Sequence, residues 1–137
     1  MSKANEAGRN ADKATAPVVN QLMRALSLEA LGRIMLKTPV DTGRARANWN
    51  VSIDAPDTST NEAATIADAP AKQAEGGARI AGADFFAGDE IYITNGLPYI
   101  KPLEDGHSKQ APQGMVAVTV RELKPLADQI ARKARGA

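Results

Sequence analysis

The sequence predicts an α+β fold, a small and mainly antiparallel sheet packed against a long N-terminal helix and a C-terminal helix. Large apolar residues recur at helical spacing between Val19 and Ile34, and again between Val116 and Ile130. Between these stretches, residues 49–53 and 90–94 alternate apolar and polar side chains, as half-buried strands do. At 137 residues, the chain fits a single domain.

Residues 1–11 are small and polar and read as a flexible tail. A helix is expected from Asp12, capped by Asp12 or Thr15, with Pro17 in its first turn and Val19, Leu22, Met23, Leu26, Ala30 and Ile34 on one face. Leu28, Leu31 and Met35 widen that stripe, so the helix should touch neighbours on more than one side. Pro39 restricts Thr38 and ends the helix near Lys37. Residues 38–43 form a turn, in which Gly43 permits a positive φ. In the first strand, Trp49, Val51 and Ile53 share one face, and Asn48, Asn50, Ser52 and Asp54 the other.

The alanine-rich stretch at 55–88 reads as a long excursion, with a short helical piece around 71–82. Pro70 and the Gly76-Gly77 pair should interrupt any longer helix. A binding arm and a mobile surface loop fit it equally well. The second strand, with Ile91 and Ile93 on one face, is followed by a tight turn at Asn95-Gly96. A short helical turn at 98–105 then closes at Gly106. Pro112 can open the last helix, whose stripe is Val116, Val120 or Thr119, Leu123, Leu126 and Ile130. Pro125 should kink or split it.

Composition limits the function. Alanine accounts for 26 apolar residues and all the larger apolar types for 33, so the core of a lone molecule should be thin. A thin core favours burial against copies of the chain or other partners. A net charge of +1 argues against a dedicated nucleic-acid binder. Cysteine is absent, which removes disulfides and thiolate metal sites. No signal-like or membrane-length apolar run occurs, which predicts a soluble chain made in the cytoplasm.

No enzyme is expected. His107 is the lone histidine, and Glu104, Asp105 and His107 make a poor metal set without a fourth ligand. His107 and Ser108 are adjacent, a spacing that rarely gives working nucleophile geometry. No nucleophile elbow, phosphate loop or dinucleotide fingerprint is present, and no cofactor or metal is expected. Arg44 and Arg46 would face one way on an extended segment, as an interface or DNA-facing pair or as a solvated strand end. Trp49 reads as the anchor of the sheet.

Two segments together resemble a known family. Thr38-Pro-Val-Asp-Thr-Gly-Arg, with Ala47-Asn48-Trp49 and a strand behind it, is similar to the front half of the siphophage neck and tail-completion proteins. The run Ile91-Tyr-Ile-Thr-Asn-Gly-Leu-Pro-Tyr-Ile100, with Leu103-Glu104-x-Gly106-x-Ser108-x-Gln110 and Ala111-Pro-x-Gly-Met115-Val behind it, resembles the back half. The resemblance spans residues 20–54 and 88–123 and leaves the tail and the 55–88 stretch unmatched.

It implies a structural virion protein that joins head to tail in a long-tailed bacteriophage. Such a subunit assembles as a ring, typically a hexamer, between the head connector or head-completion protein and the tail tube or tail terminator. Genome DNA would pass through the lumen without specific binding. The expected location is the neck of the virion, with no membrane contact. In this setting Arg44, Arg46, Tyr99, Glu104, Ser108, Gln110 and Met115 are the expected interface residues. Alanine at Glu104 and Gln110 should then leave the monomer folded and block assembly. Two other roles compete: a tail terminator capping the tube, and a small nucleic-acid-binding accessory protein using Arg44, Arg46 and the basic 132–135 end. A hydrolase centred on Glu104, His107 and Ser108 has least to stand on.

Overall fold

The first helix, α1 (Lys3–Lys37), ends where Pro39 requires it. It begins earlier than the sequence suggests. The computed structural model describes the backbone of residues 3–136 and the side chains of residues 15–133, and α1 already runs from Lys3. The segment expected as a flexible tail is therefore helical from there on. Neither Asp12 nor Thr15 is an N-terminal cap, and Pro17 lies inside the helix. A proline inside a helix forgoes one backbone hydrogen bond, a local loss that the length of α1 absorbs.

A 3-10 turn at Arg46–Asn48 leads into β1 (Asn50–Ile53). Its partner is β2 (Ile91–Thr94), antiparallel, with Asn50 opposite Thr94 and Ile53 opposite Ile91. Trp49 and Val51 are buried and form one cluster with Leu31, Ile34 and Met35 of α1, and Ile91 and Ile93 pack onto it. Ile53, at the strand end, is exposed. The fold is α+β, as the patterning predicts, with the two-stranded antiparallel sheet against α1.

The polar face of β1 is buried as well, which the alternation does not reveal. The Asn50 side-chain amide donates to the carbonyls of Asp57 (2.9 Å) and Ser59 (2.7 Å). Asn48 donates to the carbonyls of Arg44 (2.8 Å) and Asn61 (3.1 Å) and accepts from the Asn61 N–H (2.7 Å). The first part of the excursion is thus fastened along the strand by groups that would otherwise be unmatched on burial. Beyond a 3-10 turn at Ile66–Asp68 comes α2 (Ala69–Ala81), which packs on β1 and α1.

Pro70 stands in the first turn of α2, where a missing N–H is harmless, so it starts the helix instead of breaking it. Gly76 and Gly77 lie within α2. A Cβ at Gly76 would fall 2.7 Å from both Leu31 Cδ2 and Val51 Cγ2, so glycine here sets how closely α2 approaches α1 and the sheet.

A short α3 (Ile100–Glu104) precedes α4 (Val116–Gly136). The last helix starts at Val116, not Pro112, and runs through Pro125 unbroken. It pairs with α1 in antiparallel fashion: Glu122, near its start, bonds Lys37 (2.6 Å) and Arg33 (3.3 Å), near the end of α1. Thr119 faces inward. Val116 and Val120, expected on the apolar stripe, are exposed, Val120 by 59%. Of the fifteen buried apolar residues among the described ones, seven are alanine, so the core is indeed thin. No described helix is long and apolar enough to cross a membrane.

Candidate docking cleft

Three backbone features build the site. Thr38 closes α1: its N–H and hydroxyl both donate to the Ile34 carbonyl (3.1 and 2.6 Å), and its hydroxyl accepts from the Trp49 indole N–H (2.8 Å). The chain then turns at Gly43, whose φ is +88°. A Cβ there would lie 2.3 Å from the Ile66 backbone nitrogen, which itself donates to the Thr42 carbonyl (3.0 Å). Only glycine satisfies both the conformation and the contact.

On the far side, Gln110 holds the turn like a neighbouring strand. Its side-chain oxygen accepts from the Val40 N–H (2.9 Å), and its amide donates to the Val40 carbonyl (3.1 Å), across 70 residues of chain. Glu104 sits beneath, as the cap of α4. Its carboxylate accepts from the N–H groups of Met115 (3.0 Å), Val116 (2.8 Å) and Ala117 (3.1 Å). Partial burial favours its protonated form, but these three donors outweigh burial and hold the carboxyl below its usual range. A negative charge at a helix N-terminus is also favoured by the helix dipole.

Between these ties lies a cleft of about 440 Å³. The 39–45 segment forms one wall, and Tyr99, Leu103, Ser108 and Gln110 form the other. Arg44 lines it, in a long and weak ion pair with Glu62 (3.5 Å), while its buried Nε has no partner. The hydroxyls of Thr42 and Ser108 accept from the backbone N–H groups of Arg44 (3.3 Å) and Gln110 (3.2 Å). Among the described residues, the hydroxyl protons of Thr42, Ser108 and Tyr99 have no acceptor. The cleft therefore offers several donors, one of them the buried and unpartnered Arg44 Nε, with Asp41 as its one carboxylate. Such a surface suits the carbonyl or carboxylate groups of an extended segment laid across it.

The expected interface residues divide on this geometry. Arg44, Tyr99, Ser108 and Gln110 come together in the cleft. Arg46 does not join Arg44. The backbone between them is helical, not extended, and the Arg46 guanidinium donates to the carbonyls of Leu36 (3.0 Å) and Thr38 (3.1 Å) at the C-terminus of α1. Met115 is fully buried in the core and offers nothing to a partner. Glu104 and Gln110 make their hydrogen bonds within the monomer, so their joint loss would cost stability as well as any contact with a partner. Asp41 and Thr42 were missed as site residues, although the turn that carries them is conspicuous in the sequence.

His107 is exposed, and the Ser108 hydroxyl is engaged with the Gln110 backbone. Among the described residues, no group of three histidine or acidic side chains could hold a metal ion. Comparison of the chain with protein-family models, curated proteins and solved structures finds no match in any of the three.

Proposed function

We propose that this chain is a non-enzymatic subunit of the ring joining head to tail in a long-tailed bacteriophage. One observation carries the reading. The two segments that resemble neck and tail-completion proteins, far apart in sequence, close on each other through Val40 and Gln110 and frame a single donor-rich cleft. A cleft built from both halves of the pattern is what a shared docking function requires. The alanine-rich core agrees with a part that completes its burial in an assembly. The ring stands in the virion neck, and its neighbours are the head connector and the tail.

A DNA-binding role is less well supported, because Arg46 is committed to the end of α1. The test is electron microscopy of a phage lacking this chain. Full heads beside free tails of normal length are expected. Overlong tails would make the protein a terminator instead, and normally joined particles would end both readings.

A further inference from the structure

Two features on opposite flanks of α1 complement each other. The first is the loop at residues 84–90. Asn20 of α1 fastens it by donating to Asp84 (3.1 Å) and accepting from the N–H groups of Phe85 (2.7 Å) and Phe86 (3.2 Å). Asp84 N–H donates to the Asp89 carboxylate (2.8 Å), and Asp54 accepts from the Glu90 N–H (2.9 Å). This rigid loop nevertheless holds Phe86 39% exposed. The loop carries Asp84, Asp89 and Glu90, with Asp54 bonded to it, none in an ion pair among the described residues; against these four carboxylates stands one cation, Arg24, which donates to the Ala83 carbonyl (2.8 Å). The loop lies on the side of α1 that carries Met23, Leu26 and Ala30.

The second feature is a groove of about 880 Å³ between α1 and α4, on the other side of α1. Its floor is Ala25, Leu28, Gly32 and Leu36, and its wall is Leu126 and Ile130. Leu36 is 74% exposed. Gly32 lies between the two leucines, where Gln73 of α2 borders the groove, its Nε2 3.4 Å from the position a Cβ would take, and Ala25 lies one turn before Leu28. The rim carries Arg33, Lys37 and Lys133 against Glu29, and Arg33 and Lys37 share the single Glu122 carboxylate. Lys133 has no ion pair among the described residues.

We propose that the 84–90 loop of one copy docks in the α1–α4 groove of the next, with Phe86 between Leu28 and Leu36 and its carboxylates towards Lys37 and Lys133. An acidic aromatic knob and a basic-rimmed apolar groove match in both charge and polarity. Because they lie on opposite flanks of one helix, the contact is head-to-tail. Repeated, it closes into a ring or runs on as a filament. As a ring contact it rests on the function proposed above. The self-association itself does not.

The test uses the full-length chain in sedimentation velocity at up to about 1 mM, the weak end of specific association. The wild type should form higher species as concentration rises. Phe86→Ser removes the knob and Leu36→Asp spoils the groove. Each should weaken association at least tenfold while circular dichroism stays unchanged; Leu36→Asp, at a side chain 74% exposed, should also keep its melting midpoint, and Phe86→Ser, at one 39% exposed, is compared well below its own midpoint.

Mixing the two variants is decisive. Leu36→Asp keeps a sound knob and Phe86→Ser a sound groove, so together they should give a one-to-one dimer that grows no further. A mixture that stays monomeric, a wild type that never associates, or variants that associate normally would each overturn the proposal. A growth-arrested dimer combined with normally joined particles from the deletion phage would leave this contact standing and remove the neck role. Failure to dimerise alongside free tails would do the reverse.

Discussion

Removing the Glu104 carboxylate strands three backbone N–H groups at the start of α4. Glu104→Ala should therefore lower stability by about 1–2 kcal/mol, the range for losing a helix cap. Glu104→Gln, which keeps one acceptor oxygen, should fall between. Urea unfolding followed by Trp49 fluorescence measures this, and an alanine variant as stable as the wild type would refute the capping role. Asn50 makes a second prediction at this scale. Asn50→Ala frees the carbonyls of Asp57 and Ser59, so limited proteolysis should cut within residues 55–61 several times faster, while unchanged cutting would mean that the loop is held by something else. The sequence exposes such residues only partly. Glu104, Ser108 and Gln110 stand out as a dense polar run, but periodicity cannot tell a side chain offered to a partner from one whose bond is internal. Gln110 finds Val40 from 70 residues away, and nothing local marks that pairing.

Among the elements, α2 gives the sharpest contrast, because its adjacent glycines should respond with opposite signs. Replacing a helix-interior glycine by alanine normally stabilises by roughly 0.5–1 kcal/mol. Gly77→Ala should show that gain, since its Cβ would meet only Leu28 Cδ2 at an ordinary 3.5 Å. Gly76→Ala should instead destabilise by about 1–3 kcal/mol, as overpacking does, because Leu31 and Val51 stand at 2.7 Å. Thermal melting of the two variants decides it, and a shift of the same sign in both would show that the packing gives way. The strands, α1's end and the helical piece around 71–82 were legible because apolar spacing and Pro39 dictate them locally. Prolines and glycines misled where context reversed their meaning. Pro70 starts α2, Pro17 and Pro125 are absorbed into helices held by packing, and Gly76 serves close approach. The phase of α4 was ambiguous between Thr119 and Val120, and Glu104's grip on the first turn resolves it towards Thr119.

For the whole molecule, acid should lower stability. Glu122 is held below its usual range by Lys37 first, Asp57 by the Ser59 hydroxyl, Asp84 by the Asn20 amide, and Glu104 by backbone N–H groups acting against burial. Each binds its proton more weakly folded than unfolded. The unfolded chain thus takes up more protons in acid, so stability is complete above the ordinary carboxylate range, near pH 4, and falls as pH drops through the lowered values. The urea midpoint should be flat between neutral pH and about pH 5.5 and decline steeply below about pH 4; a midpoint that rises in acid would contradict the sign.

The pairing of α1 with α4 has a further outcome for biogenesis. The first helix is complete at Lys37 and meets Trp49, Val51 and α2 soon afterwards, whereas α4 starts only at Val116, so during translation the flank of α1 that α4 covers waits exposed until the last helix has been made. A nascent chain of this design gains little by folding early. Premature stop codons before α4 should yield material that chaperones retain or proteases clear, not a shortened working part.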